Sequence, residues 1–133
     1  MKLSKKSEYS CLALMYLSKH YNSKLVTILE ISVENKIPKK YLEQILIQLK
    51  NAGYVKSIRG TSGGYKLAKQ PSEISLAEIL RLIDGPLAPV DSASKFFYES
   101  TPIEQNEQLL NIFKDIRNYI SDKLENTTFA DLI

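Results

Sequence analysis

The 133 residues are 44% hydrophobic and 25% charged, an ordinary globular composition that excludes a wholly disordered chain and leaves room for one compact domain plus an appended element. The longest apolar run, residues 11–17, is far short of the roughly 20 residues that a membrane-spanning helix needs, and no small-residue cleavage site follows it, so a cytoplasmic protein without membrane contact is expected. The net charge of +3 conceals a division: residues 1–70 hold 13 Lys or Arg against 4 Asp or Glu, and residues 71–133 hold 5 against 11, a basic first half suited to a polyanion and an acidic second half kept away from it.

Residues 7–21 meet no turn former until Asn22, and Tyr9, Leu12, Ala13, Tyr16 and Leu17 recur at helical spacing, which predicts the first helix. Leu14 and Met15 widen its apolar surface, so it should pack on more than one side. Three later helices are announced by capping boxes, in which a Ser or Thr side chain caps an amide and a Glu three residues on reaches back. The pairs are Thr27 with Glu30, Ser75 with Glu78, and Thr101 with Glu104, the last with Pro102 at the first helical position. Helix three is predicted over residues 38–52, from Pro38 to a stop at Gly53. Its buried stripe should be Leu42, Ile45, Leu46 and Leu49, leaving Lys40, Glu43, Gln44 and Ile47 outward. The β-prone runs 54–58 and 65–68 flank Arg59-Gly60-Thr61-Ser62-Gly63-Gly64, a hairpin whose glycines permit positive φ and close approach to another molecule. Residues 85–100, with Pro86 and Pro89 and no sustained period, read as a connector, and a last helix is predicted over 102–124.

Helix two, a short turn, helix three and a glycine-tipped hairpin make a winged helix-turn-helix, within a mainly α fold carrying one small β-hairpin. A helix of this kind fits the DNA major groove, with side chains near its N-terminus on base edges and its dipole toward phosphate. Lys39 and Lys40 lie in that first turn as phosphate anchors. Glu43 can accept from a cytosine amino group and Gln44 can bond adenine bidentately. Arg59 at the hairpin tip suits a narrow, electronegative minor groove. A polar helix face is also what plain solvation produces; the arginine and three glycines directly after it weigh toward DNA.

The run Tyr41-Leu42-Glu43-Gln44-Ile45-Leu46, then residues 49–53, Val55-Lys56-Ser57-Ile58-Arg59-Gly60 and Gly63-Gly64-Tyr65 resembles the signature of the IscR, NsrR and CymR family of winged-helix regulators. The resemblance extends to the opening residues 3–9, to Ile83-Asp84-Gly85-Pro86 and to Asn126-Thr127-Thr128. It implies a homodimeric transcription factor, usually a repressor, on an imperfect palindrome in double-stranded DNA. The surface it implies comprises Lys39, Lys40, Tyr41, Glu43 and Gln44 on the helix and Arg59, Gly60, Thr61, Ser62 and Gly63 on the wing. Cluster-binding members of the family carry three cysteines in the connector, and residues 85–100 hold none. No iron-sulfur cluster is therefore expected, and the chain stands nearer the cluster-free branch, that of the cysteine-metabolism regulator.

Cys11, the only cysteine, sits in an apolar helical run and reads as a small buried hydrophobe in preference to a thiol sensor. His20, the only histidine, complements a helix C-terminus more readily than it ligates metal, so no metal site is expected. There is no phosphate loop, metal-spaced histidine pair or nucleophile elbow, and an enzyme is not expected. In the last helix Leu109, Ile112, Phe113, Ile116, Tyr119 and Ile120 form a stripe spaced for dimerisation. The expected organisation is a DNA-binding domain over 1–84, a connector over 85–100, and a dimerisation helix with its tail over 101–133. An effector, whether small molecule or metabolic enzyme, is left open, as is the alternative of a winged-helix protein-interaction module without strong DNA binding, toward which an outward Ile47 points.

Overall fold

Four of the five α-helices begin where a short polar side chain satisfies an orphan amide. The computed structural model describes residues 2–133, in the order α1 (Lys5–Lys19), α2 (Ile28–Asn35), α3 (Lys39–Asn51), β1 (Val55–Ile58), β2 (Gly64–Leu67), α4 (Leu76–Asp84) and α5 (Glu107–Glu125). Ser4 caps α1 by accepting from the Ser7 amide, two residues ahead of the predicted start. Ser75 and Glu78 form the complete capping box at α4: the Glu78 amide donates to Ser75 Oγ at 3.2 Å, and the Ser75 amide donates to the Glu78 carboxylate at 2.8 Å. At α2 only half of the box forms. Thr27 accepts from the Glu30 amide, but the Glu30 carboxylate is occupied by the Tyr16 hydroxyl and Lys24 Nζ, each at 2.7 Å.

The third box fails. Thr101 Oγ1 pairs with Ser92 Oγ at 2.6 Å, and Glu104 accepts from the Tyr98 and Ser100 hydroxyls. With both members engaged elsewhere, Pro102–Gln105 makes a single 3-10 turn, and α5 starts five residues later under an Asn106 cap. The long helix thus has 19 residues and spans about 28 Å, shorter than the spacing of its apolar residues suggested.

Helix α3 ends as predicted. Gly53 takes φ +86°, its amide donates to the Lys50 carbonyl at 3.0 Å, and the Tyr54 amide donates to the Leu49 carbonyl at 2.9 Å. This paired closure turns the chain directly into β1. Strands β1 and β2 pair antiparallel, with Val55 opposite Leu67, Lys56 opposite Lys66, Ser57 opposite Tyr65 and Ile58 opposite Gly64. Val26 adds a bridge to the free edge of β2, exchanging backbone bonds with Tyr65 at 2.9 and 2.7 Å.

The principal core gathers Ala13, Leu14 and Leu17 of α1, Ile31 of α2, Leu42, Ile45, Leu46 and Leu49 of α3, and Val55 and Leu67 of the hairpin. Phe129, in the closing turn Phe129–Leu132, belongs to this same core and is fully buried. The tail is drawn in by backbone bonds: the Leu76 amide donates to the Thr127 carbonyl at 2.9 Å and the Phe129 amide to the Ile74 carbonyl at 3.0 Å. A smaller cluster of Ala77, Leu80 and Leu87, packed by Cys11, Ile120 and Leu124, joins α4 to α5 and to the flank of α1. Helix α1 therefore has two apolar sides, as its sequence indicated. Phe129→Ala is expected to lower stability by roughly 3–5 kcal/mol. Urea unfolding followed by circular dichroism measures this, and a loss under 1 kcal/mol would show that the tail does not complete the core.

Candidate nucleic-acid interface

The rotation of α3 about its axis decides what the molecule shows to a partner. Leu42, Ile45, Leu46 and Leu49 are fully buried, so Lys39, Lys40, Tyr41, Glu43, Gln44 and Ile47 are all exposed, Ile47 at 59%. The start of α3 differs from that of the other four α-helices. Those have a side-chain cap and an acidic residue in the first turn, whereas α3 begins at Pro38 with neither. Its first amides and the positive end of its dipole are thus offered outward beside Lys39 and Lys40, a combination that favours an anion.

Helix α1 supports this face from behind. The Tyr9 and Tyr41 rings meet edge to face, with centroids 5.4 Å apart and planes at 66°, a favoured aromatic geometry. Tyr9 was legible only as a helix-spaced apolar residue; its contact with Tyr41, 32 positions away, is a product of packing. At the other end of α3, Gln48 Nε2 donates to the Leu82 carbonyl of α4 at 3.4 Å. The Tyr54 hydroxyl donates to Glu78 at 3.1 Å, and burial together with the Glu78 charge raises that phenol to about 12.

On the wing, Arg59, Gly60, Thr61 and Ser62 are exposed and Gly63 is half-buried. Among the described residues no carboxylate lies within ion-pair distance of Arg59. The glycines serve the loop itself more than a partner. Gly60 takes φ +121°, which a side chain strains against, while a Cβ on Gly63 would stand 2.2 Å from the Ile58 carbonyl oxygen and one on Gly64 2.7 Å from that of Val26. Only Gly60 uses positive φ; the other two let the hairpin fold tightly on its own backbone.

The six-residue stripe on α5 divides between two faces. Leu109, Ile112, Ile116 and Tyr119 are exposed, Tyr119 at 75% and Ile112 at 56%, and their spacing of three, four and three is that of a coiled-coil seam. Phe113 and Ile120 are half-buried, and Ile120 packs on the α4 cluster. The inward face is held by Arg81, which donates to Glu125 at 2.7 Å and to Ser121 at 3.1 Å and stacks over the Phe96 ring at 4.7 Å. Arg117 donates to the Ala93 carbonyl at 2.8 Å, tying α5 to the connector.

This arrangement of helix, turn, helix and wing has relatives along its full length. A family model described as "Rrf2: Iron-dependent Transcriptional regulator" matches residues 3–133. The chain belongs to the Rrf2 family. It is 33% identical over 132 residues to the HTH-type transcriptional regulator CymR of Bacillus subtilis, covering 99% of this chain and 89% of that protein. It is 41% identical over 100 residues to a putative rrf2-like HTH-type regulator of Rhodobacter capsulatus, 73% of this chain and 67% of that one. The solved structure of the B. subtilis protein, described as the global cysteine regulator of that organism, superposes with a TM-score of 0.80 at 32% identity, covering 99% of this chain and 95% of that one. That of T. potens IscR superposes with a TM-score of 0.77 at 29% identity over 99% and 85%. The fold is the winged helix of these regulators, and the family is one of transcriptional regulators, not of enzymes. No helix among the described residues is long and apolar enough to cross a membrane.

The family description names iron, and the donor set here does not fit a thiolate-held cluster. The connector has no cysteine, and among the described residues no three His, Cys, Asp or Glu side chains converge to hold a metal ion. Cys11 stands alone on α1, and burial, then the charge of Asp84, raises its thiol from 9.0 to about 11. A thiol so protonated is a poor ligand and a poor nucleophile. At pH 8 the folded protein should react with iodoacetamide about 100-fold more slowly than the urea-unfolded chain, in proportion to its smaller thiolate fraction. Cys11 is half-buried, not fully buried as its apolar run suggested; mass spectrometry of the alkylated protein reads the rate, and equal rates would show that packing does not shield it.

Proposed function

We propose that this Rrf2-family regulator binds DNA as a homodimer, without an iron-sulfur cluster, and represses transcription by occupying an imperfect palindrome. One observation carries the reading: the uncapped start of α3, with Lys39 and Lys40 beside it and Glu43 and Gln44 one turn on, lies on the same molecule as a wing whose Arg59 has no ion partner among the described residues. In this reading α3 enters the major groove. Lys39, Lys40 and the free amides hold phosphates on either side, Glu43 accepts from a cytosine amino group, and Gln44 bonds an adenine edge. Tyr41, held by Tyr9, lines the same groove wall. Arg59, carried on Gly60, Thr61, Ser62 and Gly63, reaches the adjoining minor groove.

The exposed seam Leu109, Ile112, Ile116 and Tyr119 pairs α5 with its copy in a second chain. Two-fold symmetry then sets two α3 helices on successive major grooves about 34–36 Å apart. Residues 1–84, completed by the tail, form the reading unit, and residues 85–100 the connector. Arg117 and Arg81 fasten that connector to α5 and α4, and the effector, if the protein has one, is left open. A second reading, a module that docks on another protein, draws on Ile47; a thymine methyl accounts for the same side chain within the first reading.

Selection from random duplexes, followed by anisotropy titration across salt concentrations, tests the DNA reading. A palindrome should emerge. Lys40→Ala should weaken all sequences alike and flatten the salt slope by about 0.9 per protomer, whereas Glu43→Ala and Arg59→Ala should each cost roughly 1–3 kcal/mol on the selected site and relax base preference there. No enrichment, with binding lost near physiological salt, would favour the protein-docking reading. For the dimer, Ile112→Glu with Ile116→Glu should convert the sedimentation profile from two chains to one and reduce operator affinity at least 100-fold with the helical content unchanged. A double variant that sediments as wild type would place the dimer contact elsewhere.

A further inference from the structure

The outward face of the wing hairpin carries a feature that folding alone disfavours. Lys56 of β1 and Lys66 of β2 stand directly opposite each other in the ladder, and both are exposed. Like charges at such a position destabilise a hairpin. Neither forms an ion pair among the described residues. A third lysine joins them: because Val26 bridges Tyr65 on the free edge of β2, the 24–26 segment runs alongside that strand and brings Lys24 to the same region. Together with Asn22 and Ser23 these lysines border an open groove of about 380 Å³. No carboxylate lines it; the nearest partner is Glu30, which holds Lys24 at 2.7 Å.

We infer that this lysine row is a second phosphate-contacting surface, which grips the DNA backbone outside the bases read by α3 and the wing tip. The inference rests on the DNA reading and extends its footprint. The groove is open and its lysines are exposed point charges with no buried donor among them, which suits a string of phosphodiesters better than one small anion. Lys56 is three residues before Arg59, which directly follows β1, about 10 Å at strand rise, so the backbone beside the groove entered by Arg59 continues within reach of the row. A bound phosphate run also removes the Lys56–Lys66 repulsion that the free protein carries.

The test uses the full chain and its Lys56→Gln, Lys66→Gln double variant on two duplexes of the selected site. One is trimmed to the bases protected by the recognition helix and wing tip, and the other is extended about ten base pairs on each side. Wild type should bind the extended duplex more tightly and with a steeper salt dependence. The double variant should lose that gain, its slope on the extended duplex falling by roughly 1.8 per protomer for two lost phosphate contacts, while its affinity for the trimmed duplex stays within twofold of wild type. Its thermal midpoint should equal or exceed that of wild type, which separates lost contact from lost fold. Equal slopes on the extended duplex, or a footprint that ends at the trimmed boundary, would overturn the inference while leaving the regulator reading intact. Inorganic phosphate that binds wild type but not the variant at constant ionic strength, without displacing the extended duplex, would assign the groove to a free anion and overturn it equally. If wild type selects no sequence at all, the DNA reading itself falls, and the slope difference on an arbitrary long duplex still decides whether the row meets phosphate.

Discussion

Four side chains on one stripe of α3 settle the orientation on which everything else depends. Leu42, Ile45, Leu46 and Leu49 are each fully removed from water, and at about 1.5–3 kcal/mol apiece they leave the helix one favourable rotation. Lys40, Glu43, Gln44 and Ile47 face outward because the stripe faces inward. The same burial fixes where α3 stops, since Leu49 supplies the carbonyl that receives the Tyr54 amide and launches the first strand of the wing. Helix α3 and the wing are thus set relative to one another by one hydrophobic commitment, with Tyr9 against Tyr41 and Gln48 against Leu82 as trimming contacts.

Around that head the acidic half of the chain forms a brace. Helix α4 is joined to α5 by Arg81, which meets Glu125, Ser121 and the Phe96 ring together. The Glu125 carboxyl, held first by Arg81 and then by Ser121, lies below the ordinary carboxylate range. At the far end of α4, the Ser4 amide donates to Asp84 at 3.0 Å, and the Ser4 hydroxyl donates to the same carboxylate, so the start of α1 and the end of α4 are knotted into one corner. Burial alone would raise the Asp84 carboxyl, but these bonds outweigh it and hold it low. Helices α5, α4 and the start of α1 are thereby tied together, and α1 in turn packs against α3 through the principal core.

Local chemistry made most of the fold legible in the sequence. The β-prone run 54–58, the stop at Gly53 and the stripe on α3 are decided within a few residues of themselves, and the structure matches the reading at each. The Thr101–Glu104 pair satisfied the same local rule and still failed, because Ser92, Tyr98 and Ser100 took its side chains first, and such competition is invisible to spacing. The α5 stripe was legible as apolar but not as two-faced: whether Ile120 looks inward or outward depends on α4, some forty residues away. The glycines of the wing show the same limit. Their number announced a flexible tip open to close approach by another molecule, but that Gly63 and Gly64 yield to the carbonyls of Ile58 and Val26 is a matter of three-dimensional closeness.

The burial of Phe129 among residues of α1 and α3 has a consequence for how the protein comes into being. A ribosome releases the chain from its N-terminus, so the elements that pack with Phe129 emerge before the residue that completes their core. Final packing therefore waits on a contact spanning most of the chain. A nascent chain stalled within α5 would be a sticky, incompletely packed intermediate. The core around α1 and α3 is consequently completed by a residue that lies beyond α5 in the chain.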